Sequence, residues 1–156
     1  MILISACLCG VNCKYNHENN SHPFFIELIK TGQAIPICPE QLGGLPTPRP
    51  ACEILNGTGR EVLEGTADVV GKDGQVLTAQ FIRGAQETLK VAHLVHATTA
   101  ILKGRSPSCG VNIIYDGTFT SRIIPGDGVT AAFLRESGVQ VLSDEQFLIL
   151  KGEVIA

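Results

Sequence analysis

Met1-Ile2-Leu3-Ile4-Ser5-Ala6-Cys7 opens the chain. Ile2 to Ala6 is a short apolar-rich run that suits a buried strand, and it ends on a cysteine. The arrangement recurs. Ala34 to Cys38 reads as a second buried strand closing on Cys38-Pro39-Glu40, and Thr98 to Lys103 as a third, followed at once by the loop Gly104 to Val111 with Cys109. Amphipathic segments separate these runs. His22-Pro23 opens a helix to about Thr31, with Phe25, Leu28 and Ile29 on one face and Gly32 ending it. Thr78 to Val95 is the longest helical pattern, carrying Phe81, Ile82, Ala85, Leu89, Ala92 and Val95 at helical spacing. Val129 to Ser137 is a shorter helix, Val139 to Leu142 a strand, and Asp144 to Leu150 a last helix with Ser143 as N-cap.

Strands alternating with helices predict an α/β, three-layer, Rossmann-like fold: a mostly parallel sheet covered on both faces, with a peripheral β-hairpin. Glu61 to Val76, with the turn Gly71-Lys72-Asp73-Gly74, is the expected hairpin, and Asp116-Gly117 marks another turn. The Pro- and Gly-rich stretch Pro39 to Pro50 is expected to be irregular. In open parallel sheets ligands sit beyond the carboxyl ends of the strands. Cys7, Cys38 and Cys109 all lie there, so three cysteines distant in sequence are expected to converge on one rim.

The bulk properties set the context. The 156 residues suit one domain, 1–156, with a real core. No apolar stretch is long enough to span a bilayer, and the N-terminus lacks the basic start and long apolar run of a signal peptide. A reducing cytoplasm is therefore expected, where six cysteines are thiols or metal ligands rather than disulfides. A net charge of −3 argues against long nucleic acid and for a small-molecule substrate. There is no paired C-x-x-C for a zinc ribbon and no ferredoxin-like cysteine run. Three thiolates on a cubane cluster leave one iron as an open, thiophilic Lewis acid.

Three separated stretches then resemble the bacterial thiouracil desulfidase family: Ser5-Ala6-Cys7-Leu8-Cys9-Gly10-Val11-Asn12-Cys13-Lys14-Tyr15-Asn16, the run from Cys38-Pro39-Glu40-Gln41-Leu42 to Pro50, and Leu102-Lys103-Gly104-Arg105-Ser106-Pro107-Ser108-Cys109-Gly110. Tyr115-Asp116-Gly117-Thr118-Phe119 and Pro125-Gly126-Asp127-Gly128 extend the resemblance over nearly the whole chain. It implies a [4Fe-4S] cluster held by three cysteines, its fourth iron free to take sulfur from thiouracil or a thiolated uridine nucleotide, without net redox change. By position the ligands are Cys7, Cys38 and Cys109, with Cys13 the competing ligand; Cys9 and Cys52 look like departures from the family.

Desulfuration needs water added to the thiocarbonyl carbon. Glu40, two residues past Cys38, is the expected general base, its alternatives being a surface carboxylate or a structural partner of Arg49. Ser106 is expected either to touch the substrate ring and help proton transfer or simply to start a Ser-Pro turn. Lys103, Arg105 and Arg49 form a candidate phosphate-binding set. His93 and His96 share a helix face but lack a third ligand, and His17 and His22 lie in the polar loop near Cys13. Two rival readings stand beside the desulfidase: a thiol oxidoreductase using Cys7 with Cys9 or Cys13, and a metal- or cluster-bearing sensor or sulfur-delivery module.

Overall fold

The apolar N-terminal run is a central strand of a parallel sheet. The computed structural model describes residues 1–153. In chain order these form β1 (Ile2–Ser5), α1 (Pro23–Lys30), β2 (Ala34–Ile37), α2 (Pro39–Leu42), β3 (Cys52–Leu55), α3 (Gly59–Glu64), β4 (Asp68–Gly71), α4 (Thr78–Leu94), β5 (Thr99–Leu102), β6 (Ile113–Tyr115), β7 (Ile123–Pro125), α5 (Val129–Glu136), β8 (Gln140–Ser143) and α6 (Asp144–Leu150). A single 3-10 turn, Ala6–Cys9, follows β1.

The main sheet runs β2-β1-β5-β8, with all its pairs parallel. Side chains alternate across it as strand geometry requires. Leu3, Ala100, Leu102 and Val141 pack on one face with Ala92 of α4 and Ala131 and Leu134 of α5. Ile4 and Ile101 pack on the other with Phe25 and Leu28 of α1 and Phe147 and Leu148 of α6. Each fully buried Leu, Ile or Phe contributes about 1.5–3 kcal/mol. Strands covered on both faces explain why these runs are almost wholly apolar. The expected helix starts are built with the expected chemistry: His22 Nδ1 accepts from Phe24 N (3.1 Å) at α1, and Ser143 Oγ accepts from Gln146 N (3.1 Å) at α6.

A third apolar cluster lies beside the sheet. Ile54, Val69 and Ile114 meet Phe81 and Ala85 of α4 there. Here the sequence reading needs correction. Residues 61–76 are not one hairpin: Gly59–Glu64 is helical, started by a Thr58/Glu61 capping box and stopped by Gly65 in the left-handed region. The Gly71–Gly74 turn forms, but the main partner of β4 is β3, which was not anticipated. The turn at Asp116-Gly117 does join an antiparallel pair, β6 and β7.

Pro39–Leu42, expected to be irregular, is a turn of helix. Pro39 supplies a preset φ at a position whose N–H has no helical partner, and Glu40 sits favourably in the first turn. So short a helix needs outside support. A Cβ on Gly84 of α4 would lie 2.0 Å from the Pro39 carbonyl oxygen, and one on Gly43 would lie 2.1 Å from that of Gln80. The two helices thus touch backbone to backbone. Alanine at position 84 would add about 1 kcal/mol of helix propensity, yet overpacking at this crossing costs about 1–3 kcal/mol. Gly84→Ala is therefore expected to lower the thermal midpoint; an unchanged or higher midpoint would mean the helices can part without penalty.

Candidate active site

The strand order turns back between β1 and β5, which makes their carboxyl ends a topological switch point. One hydrogen bond ties the ends together: Lys103 N donates to Ser5 Oγ at 3.0 Å. Above it opens a cavity of about 560 Å³. It is lined from the loop after β1 (Cys7, Cys13), from the start of α2 (Cys38, Glu40), from Arg49 and from the loop Lys103 to Cys109. Every residue expected in the site, Lys103, Arg105 and Ser106 included, reaches this cavity.

The sulfurs form a linked set. The Cys13 thiol hydrogen-bonds with the thiols of both Cys38 and Cys7. The Cys38 Sγ also lies 3.8 Å from the Cys13 carbonyl oxygen. Cys109 interacts with Ser5 and with Ser108, whose Oγ lies 3.6 Å from its sulfur. At Cys13 the bond with Cys38 lowers the pKa, but the bond with Cys7 and burial outweigh it and leave the group at about 11. The bond with Cys13 and burial raise Cys38, and burial pushes Cys109 up to about 12. These thiols are protonated at neutral pH until a metal displaces the protons. Among the described residues no group of three or more His, Cys, Asp or Glu side chains is placed to hold a single metal ion. Soft thiols around one cavity are donors of the kind that iron–sulfur clusters use.

Beside the sulfurs runs a chain of polar contacts. Arg49 Nε donates to Glu40 Oε1 at 2.8 Å, and Ser108 Oγ donates to Glu40 Oε2 at 2.9 Å. Ser108 Oγ is in turn 3.0 Å from Ser106 Oγ. Ser106 Oγ accepts from the backbone N–H of Ser108 and of Cys109 (3.2 and 3.1 Å), so it also shapes the turn. With two N–H donors on its lone pairs, Ser106 directs its own proton to Ser108, and Ser108 directs its proton to Glu40. The Glu40 side chain keeps 15 % exposure, whereas that of Arg49 keeps 2 %.

Arg49 differs from its expected role. Its remaining bonds go to the Pro46 carbonyl, Thr47 Oγ1 and the Cys13 carbonyl (3.2, 2.9 and 2.8 Å), so its charge is spent inside the protein. A phosphate would have to displace these partners. Lys103 and Arg105 remain as cavity cations, joined by Lys14 and Lys72, which the sequence did not single out. Cys52 also lines the cavity, while Cys9 does not and points to the Phe25 carbonyl. His93 and His96 are exposed near the end of α4, and none of the four histidines lines the cavity.

Two residues escaped the sequence reading. Ser108, 1 % exposed, is the bridge between Glu40 and Ser106; a hydroxyl pair two residues apart before a cysteine was its only signal. Glu53, 9 % exposed, is a carboxylate inside the apolar strand Cys52-Glu53-Ile54-Leu55, where an isolated acid is out of place unless it has partners.

Comparison with known proteins agrees with this fold. A family model described as 2-thiouracil desulfurase matches residues 2–146. The Bacillus subtilis (strain 168) protein YbbK, itself described as uncharacterized, is 44% identical over 146 residues, covering 94% of this chain and 97% of its own length. A solved structure of the [4Fe-4S]-dependent thiouracil desulfidase TudS (DUF523Vcz) superposes with a TM-score of 0.82 at 38% identity, covering 96% of this chain and 97% of that one. With the match running from the first strand into the last helix, this chain belongs to the 2-thiouracil desulfurase family.

Proposed function

We propose that the chain is a single-domain, iron–sulfur-dependent desulfidase that converts a thiolated pyrimidine, thiouracil or a thiolated uridine nucleotide, into its oxygen analogue. The observation that carries this reading is a carboxylate, Glu40, held on both oxygens and facing the cavity into which the thiols of Cys7, Cys38 and Cys109 open. These three cysteines would hold a [4Fe-4S] cluster, with Cys13 the competing fourth. Bound there, the cluster supplies one iron without a protein ligand, a soft Lewis acid for the thiocarbonyl sulfur.

The protein's own share is positioning and proton transfer. The balance is thiocarbonyl plus water giving carbonyl plus hydrosulfide and a proton, with no electron gained or lost. Glu40 takes the proton from the attacking water. Arg49 fixes the first carboxylate oxygen and Ser108 the second, so the basic group is already aimed when substrate arrives. Ser106, held by two backbone amides, serves proton transfer: its hydroxyl donates to Ser108, which in turn donates to Glu40. Lys103 and Arg105 hold the phosphate of a nucleotide substrate, and Arg49 acts as a positioning residue.

Two measurements test this assignment. Anaerobic reconstitution of the wild type is expected to give about four irons per chain with matching sulfide, and Cys109→Ala to lose most of that iron. A variant with wild-type cluster content would remove Cys109 from the ligand set. Glu40→Gln is expected to retain the cluster's absorbance while kcat on 2-thiouracil falls about 100-fold or more, the range for a lost general base. Full activity in that variant would end the role given to Glu40.

A further inference from the structure

The mechanism leaves one wall of the cavity without a task. It is made by the turn between β6 and β7, whose Phe119 and Ser121, with Tyr115 at the end of β6, line the cavity. Phe119 sits at φ 58° and Ser121 at φ 63°, in the left-handed region that non-glycine residues rarely adopt. A phenylalanine is an unfavourable choice for such a position. Packing does not account for it: Phe119 is half-buried, belongs to none of the apolar clusters, and pairs with no other ring among the described residues.

The backbone beneath it is fixed with care. Glu53 Oε1 accepts the amide N–H of Gly117 (3.0 Å) and of Phe119 (3.1 Å), bonds that span 64 and 66 residues of sequence. Asp116 Oδ1 accepts the N–H of Thr118 at 2.9 Å. Gly117, at φ 94°, lies so close to β3 that a Cβ would be 2.6 Å from the Ile54 carbonyl oxygen. A buried carboxylate on one sheet thus holds a strained turn of another and presents an aromatic ring to the cavity. Strain persists where the surroundings over-determine it, and it gathers at ligand contacts.

We infer that Phe119 is the ring-recognition residue of this site, stacking on the planar pyrimidine, and that Glu53 is the positioning residue that keeps it there. The inference rests on the thiopyrimidine reading and adds a determinant of specificity to it. A flat, electron-poor heterocycle is the partner that such a free aromatic face takes up. Glu40 and the sulfurs then act on one edge of a ring whose plane the turn has already set.

Calorimetric titration of the reconstituted protein with uridine 5′-monophosphate, which carries the ring but no sulfur, separates the two ideas. Saturable binding to the wild type is expected, with Phe119→Ala weakening it about 10-fold and Phe119→Trp restoring it. In turnover of 2-thiouracil, Phe119→Ala should raise KM with much less effect on kcat. Glu53→Ala should lose binding as Phe119→Ala does, whereas Glu53→Gln, whose carbonyl oxygen can still accept both amides, should bind like the wild type. Equal binding by Phe119→Ala and wild type overturns this inference alone and leaves the desulfidase reading standing. No binding of the pyrimidine by the wild type likewise overturns this inference, while turnover of 2-thiouracil by the same protein decides the desulfidase reading separately. If Glu53→Ala fails to fold, the Phe119 pair decides the matter.

Discussion

The site is organised around one guanidinium. Arg49 bonds at once to the Glu40 carboxylate, to the Cys13 carbonyl in the loop after β1, and to Pro46 and Thr47 in its own loop. Through Ser108, Glu40 passes the connection to the loop after β5. Three loops that leave the sheet separately are thereby fixed against one another. A buried ion pair is seldom a net gain over a well-packed apolar pair, because desolvating both ions offsets most of their attraction. Its value here is definition: the planar fork admits few arrangements, and each of them sets the carboxylate. Burial lowers the pKa of Arg49, but Glu40 beside it more than compensates and raises it, so the charge stays in place.

What could be read from sequence follows from how far each feature depends on its neighbours. β1, β2 and β5 are legible because strands covered on both faces must be apolar along their whole length, and Leu3, Ile4 and Ile101 satisfy that locally. α4 is legible because seventeen residues repeat one pattern. The cysteines at strand ends then followed from topology. By contrast α2 has four residues and exists because Gly43 and Gly84 let it rest on α4, and no pattern within Pro39–Leu42 announces a partner 40 residues away. β3 was missed because Glu53 breaks its apolar run; the acid belongs there only once Gly117 and Phe119 return to meet it. Ser108 was overlooked for the same reason, since its meaning lies in Glu40, 68 residues earlier. For Arg49 the pairing with Glu40 was among the alternatives the sequence offered, but its bonds to Pro46, Thr47 and Cys13 exist only once the Pro-rich loop is folded over it.

The thiols show a related economy. Burial holds Cys109 above its ordinary range; the bond with Cys13 and burial raise Cys38; at Cys13 the bond with Cys38 lowers the pKa but is outweighed by the bond with Cys7 and burial, so the protein alone keeps all three neutral. Neutral thiols are small, weakly polar groups that a half-buried cavity tolerates. Thiolates packed this closely would repel one another without a cation to share. The same geometry therefore suits two conditions, a protonated cluster-free state and a metal-bound state in which the protons have left.

Backbone contacts brace the site from behind. A Cβ on Gly128 would fall 2.6 Å from the Ser108 carbonyl carbon, while the Ser108 carbonyl oxygen accepts from Thr130 N and Ala131 N at 2.9 and 3.1 Å. The backbone carrying Ser108 is thus seated on the start of α5 with no side chain between them. Glu40 rests on α4 in the same manner, through Pro39, Gly43 and Gly84. Backbone-to-backbone seats have no rotamers to relax, so the carboxylate and the two hydroxyls are held in a fixed relation to one another. The same glycine-seated turns carry sulfurs as well: Cys38 caps the short helix of Glu40, and Cys109 directly follows Ser108.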